Sequence, residues 1–332
     1  MSFIRISGAV LLSLCFIVQS VSAMSKEECV LEYVESSAPE VSVEKIKALC
    51  ADKDTAALLP ERLKKEIATQ ENSFVITPHR QNYILPFTMN DNPHQEPYEA
   101  VYPGIEDPID NKEAKLQVSL KVPLSYIDLL TENDGIYFGF TLKSFWQVYN
   151  HELSAPFRET NYQPELFYQA PLPNEYLGGT VFTRIGIEHQ SNGRSQLLSR
   201  SWNRVFLGIG FQKDQWVVYL QPWYRLSEDP KYDDGDPETP LPPDGDDNPD
   251  IDDYMGHFEL LGAYKLSQLE FTSLVRYNFE EGNGAFEVDM SFPLWGRLKG
   301  YVQYFNGYGE SLIDYNHQTE RIGVGFLLTG LL

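Results

Sequence analysis

The stretch "GIEHQSNGRSQLLSRSWNR", residues 186–204, holds a histidine, a serine two residues later and an asparagine fourteen residues after the histidine. A serine hydroxyl is a weak nucleophile unless a base removes its proton and a third group holds that base. Ser191, His189 and Asn203 match those three roles by type. The amide oxygen of an asparagine can accept the imidazole N–H, as a carboxylate would, without placing a charge in an apolar setting, where burying it is costly. The chemistry such a set performs is acyl transfer to water. Polar residues of these types also gather at ordinary turns, so the elements around them must decide whether they meet.

Those elements read as strands. From Gln117 onward, aromatic-rich alternation is broken by turn residues: "GIYFGFTLKSFWQVYN", "TVFTRIGIEHQS", "SWNRVFLGIGFQ", "WVVYLQPWYRL", "MGHFELLGAYKL", "LEFTSLVRYNF", "GAFEVDMSF", "LKGYVQYFNGY" and "RIGVGFLLTGLL". Segments of about ten residues separated by turns are the signature of an outer-membrane barrel. Tyr and Phe number 20 and 19, many near segment ends where an aromatic girdle would lie. About eleven such segments can be counted. Single-chain bacterial barrels have even numbers of strands, so the expected fold is an all-β, transmembrane antiparallel β-barrel of twelve, with one strand merged or missed. A soluble β-sandwich shows similar alternation; the exported start of the chain and the strand at its end favour the barrel.

Successive side chains of a strand point to opposite faces. Val181, Thr183, Ile185, Ile187, His189 and Ser191 share one face, apolar up to the histidine and therefore facing lipid. Arg184 and Glu188 take the lumen side. In the next strand Ser201, Asn203, Val205, Leu207, Ile209 and Phe211 share the outward parity, and Trp202 and Arg204 the inward one. A hairpin symmetric about Gln196 sets His189 opposite Asn203 and Ser191 opposite Ser201, with Cβ atoms about 5 Å apart. The three residues can meet, on the outside of a barrel, where lipid esters are the substrates within reach.

The opening "MSFIRISGAVLLSLCFIVQSVSA" has one early arginine, an apolar run too short to span a bilayer and small residues before Met24, the layout of a secretory signal at residues 1–23. A lipoprotein cut before Cys15 is disfavoured by bulky Leu14. Residues 24–72 form a charged, partly helical N-terminal extension on the periplasmic side, where Cys29 and Cys50 are placed to pair in an oxidising compartment. Residues 73–332 form the barrel domain. A net charge of −22 excludes nucleic-acid partners. Much of it lies in residues 227–253, with twelve acidic residues and one lysine. That Pro-, Gly- and Asp-rich segment reads as a solvated loop. It offers oxygen ligands for a divalent cation, without calcium-loop spacing.

"HQSNGRS" followed by "SRSWNR" closely resembles the active-site segment of the bacterial outer-membrane phospholipase A family. The likeness extends to "SFWQVYNHELSAPFRETNYQPELF" (144–167), "DDNPDI" (246–251) and "YGESLIDYNHQTERIGVG" (308–325), and covers the chain from about Ser73. It implies a twelve-stranded outer-membrane barrel that hydrolyses phospholipid acyl esters, needs Ca2+ and acts as a homodimer. Position by position, Ser191 matches the nucleophile, His189 the base, Asn203 its orienter and the Gly193 N–H an oxyanion donor. The family's interface calcium takes two backbone carbonyls, falling on Arg194 and Ser199, and a partner-chain serine hydroxyl, falling on Ser154. Two departures stand out. Gln196 replaces an aspartate expected to pair with Asp247 in a second calcium site, and Leu142 replaces a glutamine expected to bond across the dimer. Arg158 and Glu159 read as structural, and His151 and His257 as ordinary polar positions near strand ends. The competing reading is a porin on the same scaffold, which loss of any member of the triad would have favoured.

Overall fold

The computed structural model describes residues 77–331 apart from 100, 126, 232–241, 243, 244 and 297. The signal segment and 24–72 extension expected from the sequence, with Cys29, Cys50 and part of the acidic loop, therefore lie outside the described residues. A two-residue strand β1 (Thr77–Pro78) precedes twelve long strands: β2 (Asn82–Asn90), β3 (Lys112–Pro123), β4 (Gly135–Trp146), β5 (Phe157–Pro171), β6 (Thr180–Ser191), β7 (Ser201–Lys213), β8 (Trp216–Leu226), β9 (Phe258–Leu266), β10 (Leu269–Tyr277), β11 (Gly284–Trp295), β12 (Leu298–Gly307) and β13 (Thr319–Thr329). Each of the twelve pairs antiparallel with its neighbours, and β13 pairs with β2, so the sheet closes on itself. Closure is what hydrocarbon demands, because no water is present to bond an open edge.

Two of the twelve, β2 and β5, are absent from the alternation read in the sequence, one more than the expected count of about eleven allowed. Both carry a proline inside the strand. At Pro86 the pairing of β2 shifts register between Leu85 and Thr88. At Pro164 the ladder from β5 to β6 passes from Tyr162–Ser191 to Glu165–Glu188. The inward face of β5 is polar (Glu159, Asn161, Glu165, all buried), as a lumen face should be, but its outward face mixes Thr160 and Pro164 with Tyr162 and Leu166, which blurs the apolar half of the alternation.

Outward and inward residues separate as parity requires. Ile185, Ile187, Leu207 and Ile209 are 54, 53, 45 and 46% exposed, whereas Glu188, Trp202, Arg204 and Phe206 are buried. Aromatics mark both rims: Trp216 stacks against Tyr264 at the turn end, and Phe279 packs on Phe258 and Tyr277 at the loop end.

Side chains fill the lumen. His79 and Arg80, just before β2, bond Glu165 at 3.2 Å, and Arg80 also reaches Glu188 and Glu259. Toward the loop end, Lys115 bonds Glu310 at 2.9 Å, Arg321 bonds Glu310 and Glu113, and Arg158 bonds Glu113 and Asp314. A cavity of about 210 Å³ remains, lined by Lys143, Arg184, Arg276, Glu259 and Glu287 among others.

Two carboxyls of the β12–β13 loop lock that end. Burial alone would raise both. For Glu310 the Arg321 and Lys115 charges prevail and hold it at about 2. Arg158 likewise holds Asp314 well below the usual carboxylate range. Groups depressed in this way stabilise the fold fully above their unfolded values, near 4, and the contribution is lost as pH falls through the folded values. The contribution of these two carboxyls to thermal stability in detergent is therefore expected to be constant from pH 7 to 5 and to be lost progressively below about pH 4. Glu310→Gln should lower the melting temperature at pH 7 and shrink the acid dependence.

Candidate active site

The β6–β7 hairpin carries the three candidate residues in the expected register, with His189 opposite Asn203 and Ser191 opposite Ser201. The His189 Nδ1 lies 2.8 Å from the Asn203 Oδ1. An amide oxygen can only accept, so the imidazole carries its proton on Nδ1 and leaves Nε2 free as a base. Ser191 sits two residues further along the same outward face, roughly 7 Å away at Cα by strand geometry, within reach of an imidazole. All three are partly exposed. One cross-strand row on this face runs from Leu142 through Tyr162 to Ser191 and Ser201.

The loop after Ser191 is built around Asn192, a buried residue absent from the sequence-derived set. Its Nδ2 donates to the Leu198 carbonyl (2.7 Å) and to Glu159 (3.3 Å), and its Oδ1 accepts from the Arg194 and Arg200 N–H groups (3.2 and 3.0 Å). The backbone pair Asn192–Arg200 (3.1 Å) continues the hairpin symmetrically about Gln196, where a short 3-10 turn (Gln196–Leu198) sits. Glu159 also takes the Asn161 amide (2.6 Å) and the Ile313 N–H (3.3 Å), tying the hairpin loop to the β12–β13 loop. Arg158 and Glu159 are thus buried supports, while His151 and His257 are exposed.

Gly193 has φ +61°, a conformation L side chains rarely adopt, and a Cβ there would lie 3.3 Å from the Tyr162 ring. Its position directly after Asn192 presents an exposed backbone beside Ser191. The Arg194 guanidinium donates to the Phe157 and Arg158 carbonyls (2.7 and 2.9 Å), bracing the loop against the start of β5. Ser154 stands exposed in the adjoining β4–β5 loop with φ +57°.

The "DDNPDI" block folds onto the same end of β7. Asp246 holds Arg225 through both oxygens at 2.7 Å, and Asn248, fully buried, accepts the Ser201 N–H at 3.1 Å. Asp247 accepts from the Ser199 hydroxyl (2.8 Å) and is paired with the Lys231 ammonium. Among the described residues no cluster of three or more acidic, His or Cys side chains is arranged to hold a metal. Leu142 is half-buried and opposes Val118 and Tyr162.

The geometry can be set beside known proteins. The profile of the family described as phospholipase A1 matches residues 59–328. The chain belongs to that family. It is 36% identical over 262 residues to the phospholipase A1 of Klebsiella pneumoniae (79% of this chain, 85% of that protein). Identity to the Escherichia coli K12 enzyme is 34% over 279 residues (84% and 90%). Among solved structures, the E. coli outer membrane phospholipase A, as an active-site mutant with an asparagine changed to alanine, superposes with a TM-score of 0.72 at 33% identity, covering 81% of this chain and 98% of that one. A Salmonella typhi outer membrane phospholipase dimer with bound calcium gives 0.70 at 33% identity, covering 81% and 97%. The twelve-stranded fold is therefore that of the outer membrane phospholipases. The family match starts at residue 59, ahead of the domain boundary at 73 read from the sequence.

Asn192 is the residue on which the loop geometry turns. Removing a buried hydrogen-bonding partner costs about 1–3 kcal/mol per group left unsatisfied. Asn192→Ala is expected to speed hydrogen exchange at the Arg194 and Arg200 amides by roughly tenfold or more, with the barrel strands unchanged. Unaltered exchange at those two amides would contradict the assignment.

Proposed function

We propose that this chain hydrolyses phospholipid acyl esters at the lipid-facing side of an outer-membrane barrel, with Ser191 as nucleophile, His189 as base and Asn203 as its orienter. The observation that carries the reading is the 2.8 Å bond from His189 to Asn203 on the outward face that also carries Ser191. The family membership supports the reaction class, and the active-site asparagine of the E. coli structure supports the role of Asn203. Side chains filling the lumen disfavour a porin.

Substrate approaches from the membrane, so no transfer through water is required. The Ser191 Oγ attacks the ester carbonyl carbon as its proton passes to the His189 Nε2. The Gly193 N–H donates to the oxyanion that forms, and preorganised donors of this kind are worth roughly 10²–10³ in rate each. His189 then gives the proton to the departing alcohol oxygen, leaving an acyl-serine. A water, deprotonated by His189, cleaves that ester and releases the fatty acid.

The calcium assigned by resemblance is tested by its donors. Arg194 and Ser199 offer neutral carbonyl oxygens, the ligands hard cations take. The Ser199 carbonyl accepts from the Arg200 guanidinium at 2.7 Å, so calcium would take its second lone pair or displace that guanidinium. These donors fit. With Ser154 of the partner subunit they would hold one calcium at a dimer interface; the ion, when bound, supplies a polarised water that shares the oxyanion charge. The Lys231 ammonium beside Asp247, together with Gln196 in place of an acid, disfavours a second calcium. Shared ligands tie activity to association, which protects the cell's own lipids.

Phospholipid hydrolysis by the refolded full-length protein should need both calcium and Ser191. Ser191→Ala is expected to lose roughly a thousandfold or more in kcat, and chelator should remove activity reversibly. Serine-dependent hydrolysis indifferent to chelator would keep the triad and remove the metal. Inactivity of a folded, dimeric barrel would overturn the enzyme reading. Leu142 lies on the row that includes Ser191, and an arginine on a lipid-facing position costs up to about 2–4 kcal/mol. Leu142→Arg should reduce calcium-dependent crosslinking and hydrolysis together while the heat-modifiable gel shift persists; full activity in an uncrosslinkable variant would contradict dimer control.

A further inference from the structure

Asn203 has a second partner. Its Nδ2 donates to the Glu228 Oε1 at 2.7 Å, opposite the side on which its Oδ1 meets His189. Glu228 reaches this position by strand geometry. In the β7–β8 ladder Asn203 pairs with Leu226, so Glu228, two residues beyond, is the diagonal neighbour on the same outward face. Tyr224 and Leu226 are exposed on that face, 71 and 42%, and Glu228 ends the row just past the strand. The chain there is fixed, because the Asp229 carbonyl accepts the Asp246 N–H at 2.8 Å and Pro230 bridges to Asp246.

We propose that Glu228 is a positioning residue that fixes the orientation of the Asn203 amide and, through it, the tautomer of His189. The inference rests on the Ser191–His189–Asn203 reading. The two ends of a carboxamide have nearly the same shape, so packing does not choose between them. They differ in chemistry. With the oxygen toward His189, the imidazole proton stays on Nδ1 and Nε2 can take the Ser191 proton. With the NH2 toward His189, Nδ1 must accept, the proton moves to Nε2, and the base is lost. An ionised carboxylate only accepts, so at 2.7 Å it holds the NH2 and repels the amide oxygen. The outcome is a bias of about ten- to a hundredfold toward the productive orientation. An aspartate orienter would need no such selector, since its two oxygens are equivalent. The carboxylate that a neutral orienter keeps away from the imidazole is thus placed one residue further out, at the loop end.

The test is a cycle on the full-length, calcium-saturated dimer with a short-chain phospholipid, reading kcat and KM separately. Glu228→Ala is expected to lower kcat about tenfold with KM unchanged. Glu228→Gln, which keeps an accepting oxygen, should stay within about threefold of the native chain. In an Asn203→Asp background, adding Glu228→Ala should leave kcat unchanged or raise it, because no amide remains to orient and two adjacent carboxylates are relieved. A Glu228→Ala variant within about twofold of the native kcat would overturn the proposal, and so would an equal loss in both backgrounds, which marks a merely structural contact. Ser191→Ala serves as the control. Substantial activity in that variant would sink the triad itself, whereas an inactive Ser191→Ala beside a fully active Glu228→Ala sinks only the role of Glu228.

Discussion

Hydrocarbon offers no partner to a backbone N–H or C=O, and every feature of this molecule answers to that constraint. It forces the sheet to close, β13 onto β2, and closure fixes the register of all twelve strands. A one-residue slip would carry every lipid-facing side chain into the lumen. The register that keeps Ile185, Ile187, Leu207 and Ile209 in lipid is the register that sets His189 opposite Asn203. The alignment that brings His189 to Asn203 and the alignment that suits the membrane are one.

A reactive group on the outside of a barrel meets its substrate without leaving the bilayer, at the cost of working where charge is expensive. The site handles charge by distance. The group touching His189 is a neutral amide, and the carboxylate behind it, Glu228, stands past the end of β8. Arg200 and Arg194 sit at the same rim, their guanidiniums on backbone carbonyls. Beneath the hairpin, Asn192, Glu159 and the β12–β13 loop supply the rigidity that a loop of small and polar residues lacks.

Much of this was legible in the sequence, because it is periodic. Alternation in "TVFTRIGIEHQS" and "SWNRVFLGIGFQ" assigned both faces, and symmetry about Gln196 assigned the pairing. The strands that escaped, β2 and β5, are those in which Pro86 shifts the register or Thr160 and Pro164 interrupt the apolar outward face. Glu228 and Asn192 escaped for a different reason: they act where strands end and periodicity stops, so nothing in their spacing marks them. The pairing of Lys231 with Asp247 was likewise hidden, being a contact within an acidic segment whose composition reads as solvent-exposed.

Covalent capture reports most directly on whether Ser191 is the nucleophile of a lipid-facing, calcium-dependent site. The full-length protein in bilayers would be treated with a long-chain alkyl fluorophosphonate, and the modified residue located by mass spectrometry. Labelling confined to Ser191, requiring calcium and lost in His189→Ala, is the expected result. Labelling at another residue, or equal labelling of Ser191 without His189, would contradict the account.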